Sequence, residues 1–108
     1  MKRYEGRRER HAVIVTVDGH RLNLRLDLRN HSPTGFEWGY GGSGTAQLAL
    51  AILADHWGDD ERALNFYHRF KWAAIAELPG VLWTLTSQEI DEVLESLLDQ
   101  EPLQKGSA

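Results

Sequence analysis

A glycine-rich segment in the middle of the chain carries most of the residues that could do chemistry. Residues 30–44 contain five glycines, three aromatic side chains and several hydrogen-bonding side chains, and an apolar helical stretch follows them. Glycine loses more backbone entropy on folding than other residues, so such a run predicts conformations or close approaches that a Cβ would prevent. Successive amide groups at the start of a helix attract phosphate or carboxylate groups. We therefore predict a site for an anionic or nucleotide-like ligand, formed by Arg29, His31, Ser32, Trp38, Tyr40, Gly41, Gly42, Ser43, Gly44 and Gln47.

Several side chains in and beside this predicted site could instead have an ordinary structural role. Arg25 and Arg29 could hold a phosphate through paired N–H donors, or could form salt bridges with acidic helices. Phe36, Trp38 and Tyr40 alternate along the chain, so they either fill the core or offer a stacking surface for a base. The sequence leaves these alternatives open.

Three catalytic or cofactor motifs are matched only in part. Gly39, Gly41 and Gly44 have the G-x-G-x-x-G spacing, but a second helix is predicted where a dinucleotide-binding fold needs a returning strand. The P-loop lysine is missing, since Thr45 follows the last of these glycines. Ser43 lies between two glycines as in a nucleophile elbow, yet no Asp–His pair accompanies it. We therefore predict a non-catalytic binding protein without a cofactor.

The composition is typical of a single-domain protein without disulfides or a membrane-spanning segment. The chain has 108 residues, no cysteine and five scattered histidines that form no metal-ligand spacing. No stretch approaches the roughly 20 apolar residues of a transmembrane helix, so we expect a cytoplasmic location without a membrane partner. Residues 1–30 hold eight Lys or Arg against four acids, whereas the remainder holds four against twelve. This basic end attracts phosphate or an acidic protein surface, while the acidic remainder disfavours extended nucleic acid.

The hydrophobic period predicts an α+β fold in which an N-terminal antiparallel hairpin packs on three helices. Val13, Val15 and Val17 alternate with polar or smaller residues, and residues 22–28 alternate between leucine and polar side chains. Asp18-Gly19 between the two runs is a type I′ turn signal. A short edge strand around residues 4–7 and a further strand near 81–85 are also predicted. The hairpin register should place Val17 opposite His20, Val15 opposite Leu22 and Val13 opposite Leu24.

Three helices are predicted in the second half of the chain. The first, residues 45–57, is apolar almost all round and should be buried, with Ser43 or Gly44 as its cap. The second begins at Asp59 or Asp60 and ends before Pro79. The third begins at the capping box formed by Thr86 and Glu89. We predict one domain over residues 1–100 and a flexible tail over residues 101–108.

Two parts of the sequence together resemble a known family. The segment Phe36-Glu37-Trp38-Gly39-Tyr40-Gly41-Gly42-Ser43-Gly44 precedes an Ala/Leu-rich stretch, and Tyr67, Phe70 and Lys71 follow in the pattern Tyr-x-x-Phe-Lys. These features are similar to those of a small bacterial and bacteriophage family known as a domain of unknown function. The resemblance covers most of the chain and implies a hairpin followed by helices. The family's occurrence on viruses and mobile elements implies a counter-defence role.

Two functions are therefore expected. The first is a small binding protein that holds an anionic small molecule or nucleotide at the glycine-rich loop and the following helix N-terminus. The alternative is a protein-interaction module that inhibits a host protein complex, for example one of CRISPR type, through its surface.

Overall fold

The computed structural model describes residues 1–99 and has an α+β fold. The strands are β1 (Arg3–Glu9), β2 (Ala12–Val17), β3 (His20–Arg21) and β4 (Leu82–Thr86). The helices are α1 (Ser43–Trp57), α2 (Asp60–Ala73) and α3 (Ser87–Asp99), with a short 3-10 helix over Ile75–Glu77. The sheet is antiparallel, in the order β3-β2-β1-β4, which confirms the predicted fold class. Residue 100 and the predicted tail, residues 101–108, lie outside the described residues.

The first strand is central in the sheet rather than an edge strand. β1 pairs with β2 on one side and with β4 on the other. Tyr4 and Gly6 are buried on the core face, while the arginines that alternate with them lie on the other face or at the end of the strand. The expected edge position was wrong because three arginines hide the short apolar alternation of this strand. β4 confirms the strand predicted near residues 81–85.

The hairpin turn is confirmed, but its second strand is much shorter than predicted. Asp18 and Gly19 have φ values of 49° and 85°, and Val17 pairs with His20. The chain then leaves the sheet after β3, so the strand predicted over residues 22–28 is wrong. Arg25 has a left-handed φ of 57°, and its carbonyl accepts a hydrogen bond from the Leu28 amide at 3.0 Å. This turn prevents the leucine alternation from continuing as a strand, and the pairing of Val13 with Leu24 does not form.

The core is built around α1, as its all-round apolar sequence predicts. Every residue from Gly44 to Ala54 is buried, and the sheet, α2 and the short 3-10 helix pack around it. The helix begins at the N-cap Gly42, slightly earlier than expected. At the other end Gly58 takes a left-handed conformation, and its amide donates to the Ala54 carbonyl at 2.9 Å. α1 therefore provides the rigid axis against which the glycine-rich loop is fixed.

The two remaining helices begin where the sequence predicts. The Asp59 side chain caps α2 by accepting a hydrogen bond from the Arg62 amide at 3.1 Å. Glu89 and Thr86 form the predicted capping box: the Thr86 amide donates to Glu89 Oε1 at 2.9 Å, and the Glu89 amide donates to Thr86 Oγ1 at 3.2 Å. None of the helices within residues 1–99 is long and apolar enough to cross a membrane.

Candidate functional site

Gln47 on α1 fixes the long connection between β3 and the helix. Its side chain is fully buried, and its Oε1 accepts hydrogen bonds from the amides of His31 and Ser32 at 2.8 and 3.0 Å. Its Nε2 donates to the carbonyls of Leu24 and Arg29 at 2.6 and 3.0 Å. All four hydrogen-bonding positions of the amide are used. Gln47, predicted as a ligand contact, therefore has no polar group left for a ligand and acts by positioning the loop.

The loop held by Gln47 places His31 among positively charged neighbours on α2. His31 Nε2 lies 2.7 Å from the Tyr67 hydroxyl, and its ring is 6.2 Å from the ring of His68. Burial lowers the pKa of His31, and the positive charges of His68, Arg29 and Lys71 lower it further. Burial also raises the pKa of Tyr67. Every charged group that shifts the pKa of His31 is a cation.

The exposed side of α2 continues this cluster towards the glycine-rich loop. His68 and Trp72 are one helical turn apart, and Lys71 Nζ lies 4.5 Å from the centre of the Trp72 ring. Trp72 is 59% exposed and Tyr40 is 56% exposed. The Trp72 ring lies in the space that a Cβ at Gly41 would need, so this glycine lets the loop meet α2 closely. We call this surface the basic–aromatic face; it consists of Arg29, His31, Tyr40, His68, Lys71 and Trp72.

The first turn of α1 lies beside the basic–aromatic face. Its N-cap Gly42 contacts the ring of Tyr40, its first turn contains no acidic residue, and Ser43 is exposed. Within residues 1–99 no acceptor is found for the amides of Ser43, Gly44 and Thr45, which an α-helix leaves without intrahelical partners. Gly44 is buried, and a Cβ added there would lie 2.8 Å from Glu37 Cβ, so the loop packs closely against this turn. In this first turn Ser43 is exposed next to Tyr40 of the face, whereas Gly44 and Thr45 are buried.

Other predicted site residues have internal roles. Trp38 is only 1% exposed, donates from Nε1 to the Gly80 carbonyl at 3.3 Å and packs edge-on against Trp83, so its ring is part of the core. Ser32 Oγ donates to the Gly35 carbonyl at 2.7 Å and stabilises the loop. The Arg25 guanidinium pairs with Asp27 and Asp60, which is the salt-bridge alternative, and these hydrogen bonds raise the pKa of Arg25.

The structure thus divides the predicted site into an internal and an exposed group. Arg29, Tyr40 and Ser43 are exposed, and His31 is half-buried beside them. Among residues 1–99, the one acceptor found for Arg29 Nη1 is the neighbouring Leu28 carbonyl, at 2.9 Å. Three residues of the face lie on α2 and were not predicted from the sequence, namely His68, Lys71 and Trp72. Their helical spacing was a usable signal, but only the fold brings that side of α2 next to the loop.

The comparisons with known proteins identify a family. A model described as a family of unknown function, DUF6166, matches residues 4–96. The chain belongs to this family. No curated protein and no solved structure matches it. In this DUF6166 chain the match includes β1, the glycine-rich loop, α1 and α2, and therefore every residue of the basic–aromatic face.

Proposed function

We propose that the chain is a small non-catalytic binding protein and that its basic–aromatic face binds an anionic, nucleotide-like ligand. The observation that carries this proposal is the grouping of Arg29, His68 and Lys71 around the half-buried His31, next to the exposed Trp72 ring over which Lys71 lies. Like charges gathered at one place repel each other and destabilise the folded state. A bound anion would remove the repulsion and supply the missing partner.

The chemistry of the face fits the two parts of a nucleotide. Arg29 and Lys71 offer charge-assisted donors for phosphate, and the first-turn amides of α1 add backbone donors and the positive end of the helix dipole. The exposed rings of Trp72 and Tyr40 offer stacking surfaces for a base, and such stacking is worth about 1–3 kcal/mol per base. We further propose a cytoplasmic location, where such ligands are plentiful.

The test compares ATP, adenosine and inorganic phosphate by NMR titration of the whole chain. We expect ATP to shift the amide signals of Ser43, Gly44 and Thr45 and the indole signal of Trp72. Adenosine should shift the indole alone, and phosphate the amides alone. The double variant Arg29→Ala/Lys71→Ala should weaken ATP binding by roughly 100-fold, which is about 2.7 kcal/mol.

The control for this test is a charge change elsewhere on the surface. Arg10→Ala alters an exposed arginine in the turn between β1 and β2, far along the chain from α2. ATP affinity should stay within about twofold of wild type, since distant surface charges are largely screened at physiological salt. An ATP affinity that falls as much in Arg10→Ala as in Arg29→Ala or Lys71→Ala alone would show that only overall charge matters, and would contradict the proposal.

A second candidate function uses the same face to bind a protein. Tryptophan and tyrosine dominate the energetics of protein interfaces, and Trp72 and Tyr40 are both more than half exposed. For this second function we propose that the chain is a counter-defence factor of a phage or mobile element and that it inhibits a host complex of CRISPR type. A purified complex of that type should lose DNA binding when the chain is added, and Trp72→Ala should restore it. Inhibition that survives Trp72→Ala and Tyr40→Ala would exclude this face as the interface.

A further inference from the structure

The outer edge of β2 is left without a partner where β3 ends. The Asp18 amide donates to the Arg3 carbonyl at 2.9 Å, and in this register the backbones of Thr16, Ile14 and Ala12 also point at β1. The backbones of Val13 and Val15 therefore point away from β1. The Val15 carbonyl accepts a hydrogen bond from the Leu22 amide at 3.0 Å, and then the chain turns away. Within the described part of the chain, no partner is found for the Val15 amide or for the amide and carbonyl of Val13.

This open edge faces a groove rather than bulk solvent. One part of the groove has a volume of about 370 Å³ and lies between the start of β2 and the loop at residues 32–37. The next part, about 160 Å³, continues along β2 to Arg21 and Leu22. The two parts share Val13, Thr34, Gly35 and Phe36 and therefore form one groove, which we call the β2 groove.

The β2 groove offers apolar contacts and one free cation. Phe36, Leu22 and Val15 are buried in its walls, with Val13 and Leu24 partly exposed beside them. Arg21, at the β3 end, is exposed and has no ion-pair partner within residues 1–99. At the opposite end Glu37 is already paired with Arg8 at 2.6 Å. The net charge of the groove therefore favours an acidic group next to Arg21.

We propose that the β2 groove binds an extended peptide segment of another protein, which adds as a strand along β2 and carries an acidic residue beside Arg21. The peptide takes the place of the strand that the leucine pattern of residues 22–28 predicts and the fold does not form. Its backbone satisfies the free amide and carbonyl of Val13, since Leu22 already lies opposite Val15, and alternate side chains enter the apolar walls. An antiparallel peptide has its N-terminal end beside Arg21, because β2 runs towards that end of the groove.

The test uses a blocked hexapeptide, Glu-Val-Thr-Val-Thr-Val, and a second peptide that begins with Lys. NMR titration with the first peptide should shift the amides of Val13 and Val15 and slow the hydrogen exchange of the Val13 amide. Val13→Pro removes one free donor without touching the β1–β2 ladder, so it should fold and weaken peptide binding at least tenfold. Arg21→Glu should reverse the preference, so that the Lys peptide binds more tightly than the Glu peptide.

The matched control is a proline at the other edge of the sheet. The bonds from the Arg8 amide to the Val81 carbonyl and from the Ser87 amide to the Lys2 carbonyl leave the Thr84 backbone pointing outwards from β4. Thr84→Pro should therefore leave peptide affinity unchanged. Equal losses in Thr84→Pro and Val13→Pro, shifts confined to β4 or to the basic–aromatic face, or no binding at about 1 mM peptide would overturn the proposal. If Val13→Pro does not fold, the proposal is judged on Arg21→Glu, and an unchanged preference of that variant for the Glu peptide would overturn it.

Discussion

The basic–aromatic face and the β2 groove both include residues of one connection, and they offer different chemistry. The face presents charged and aromatic side chains on the exposed side of α2, whereas the groove presents unpaired backbone groups between apolar walls. Both depend on the path of residues 22–38. By leaving the sheet after Arg21, this connection opens the groove, and by binding Gln47 it brings Arg29 and His31 to α2.

The difference shows how one buried side chain can support two separate surfaces. Gln47 contributes no atom to either surface, yet its four hydrogen bonds fix the loop between them. The face presents side chains, so single substitutions can remove its polar and aromatic groups. The groove presents backbone amides and carbonyls, so only proline or a change of the loop can remove them.

Gln47→Ala should have the largest effect, because it removes the hydrogen bonds that hold the connection on which both surfaces depend. It leaves two amides and two carbonyls of the partly buried loop without their partner, and each such group costs about 1–3 kcal/mol before relaxation. We expect a loss of roughly 3–4 kcal/mol in the free energy of unfolding, measured by urea denaturation. Hydrogen exchange of the His31 and Ser32 amides should become much faster.

Gln88→Ala is the matched control for that prediction. Gln88 is an exposed glutamine on α3, so its truncation should change the free energy of unfolding by less than about 0.5 kcal/mol. If Gln47→Ala is equally mild, the loop does not depend on this side chain, and the two surfaces do not share a common support.

Gly41→Ala should distinguish the two surfaces, because it should weaken ligand binding at the face and leave peptide binding in the groove unchanged. A Cβ at this position would occupy the space of the Trp72 ring, which must swing away from the loop. Since that ring is exposed, we expect a loss of less than about 1 kcal/mol in unfolding free energy. ATP affinity should fall roughly tenfold, while binding of the Glu peptide in the groove stays unchanged.

Gly80→Ala controls for the loss of a glycine. A Cβ there meets no atom, so both affinities should remain at the wild-type values. A Gly41→Ala variant that binds ATP normally would show that the position of Trp72 does not matter to the face, and peptide binding that falls with it would show that the surfaces are coupled.

Local signals in the sequence predicted the helices, the hairpin turn and the fold class. The capping box at Thr86, the glycine after α1 and the Asp18-Gly19 turn each depend on neighbouring residues, and all three are confirmed. The strand over residues 22–28 was wrong because its leucine alternation competes with a long-range interaction. Gln47 takes the carbonyls of Leu24 and Arg29, and no local pattern reveals that a helix side chain will do this.

The fold divides the site residues that the composition of the glycine-rich segment predicted. The segment forms a loop that ends at the start of α1, and among the predicted residues Arg29, Tyr40 and Ser43 are exposed and His31 is half-buried. The sequence could not separate these from the residues that the core needs, such as Trp38, because both kinds alternate along the same segment. Nor could it add Trp72, which reaches the loop only through the packing of α2 on α1.

The pH dependence of stability should give the smallest effect, and it is specific to the face. The folded state lowers the pKa of His31 below its ordinary value of about 6.5, through burial and then through neighbouring cations. Below that pH the unfolded chain binds the proton first, so the unfolding free energy should fall as pH decreases and stay level above it. His31→Gln should flatten this slope in urea denaturation measured from about pH 7 to about pH 5, a range that includes the ordinary histidine pKa.

ATP bound at the face should raise the pKa of His31, seen by NMR of its ring protons, because the phosphates offset the charges of Arg29 and Lys71. The Glu peptide in the groove should leave that pKa where it is; a shift of equal size with both ligands would mean that His31 reports on the whole connection and not on the face.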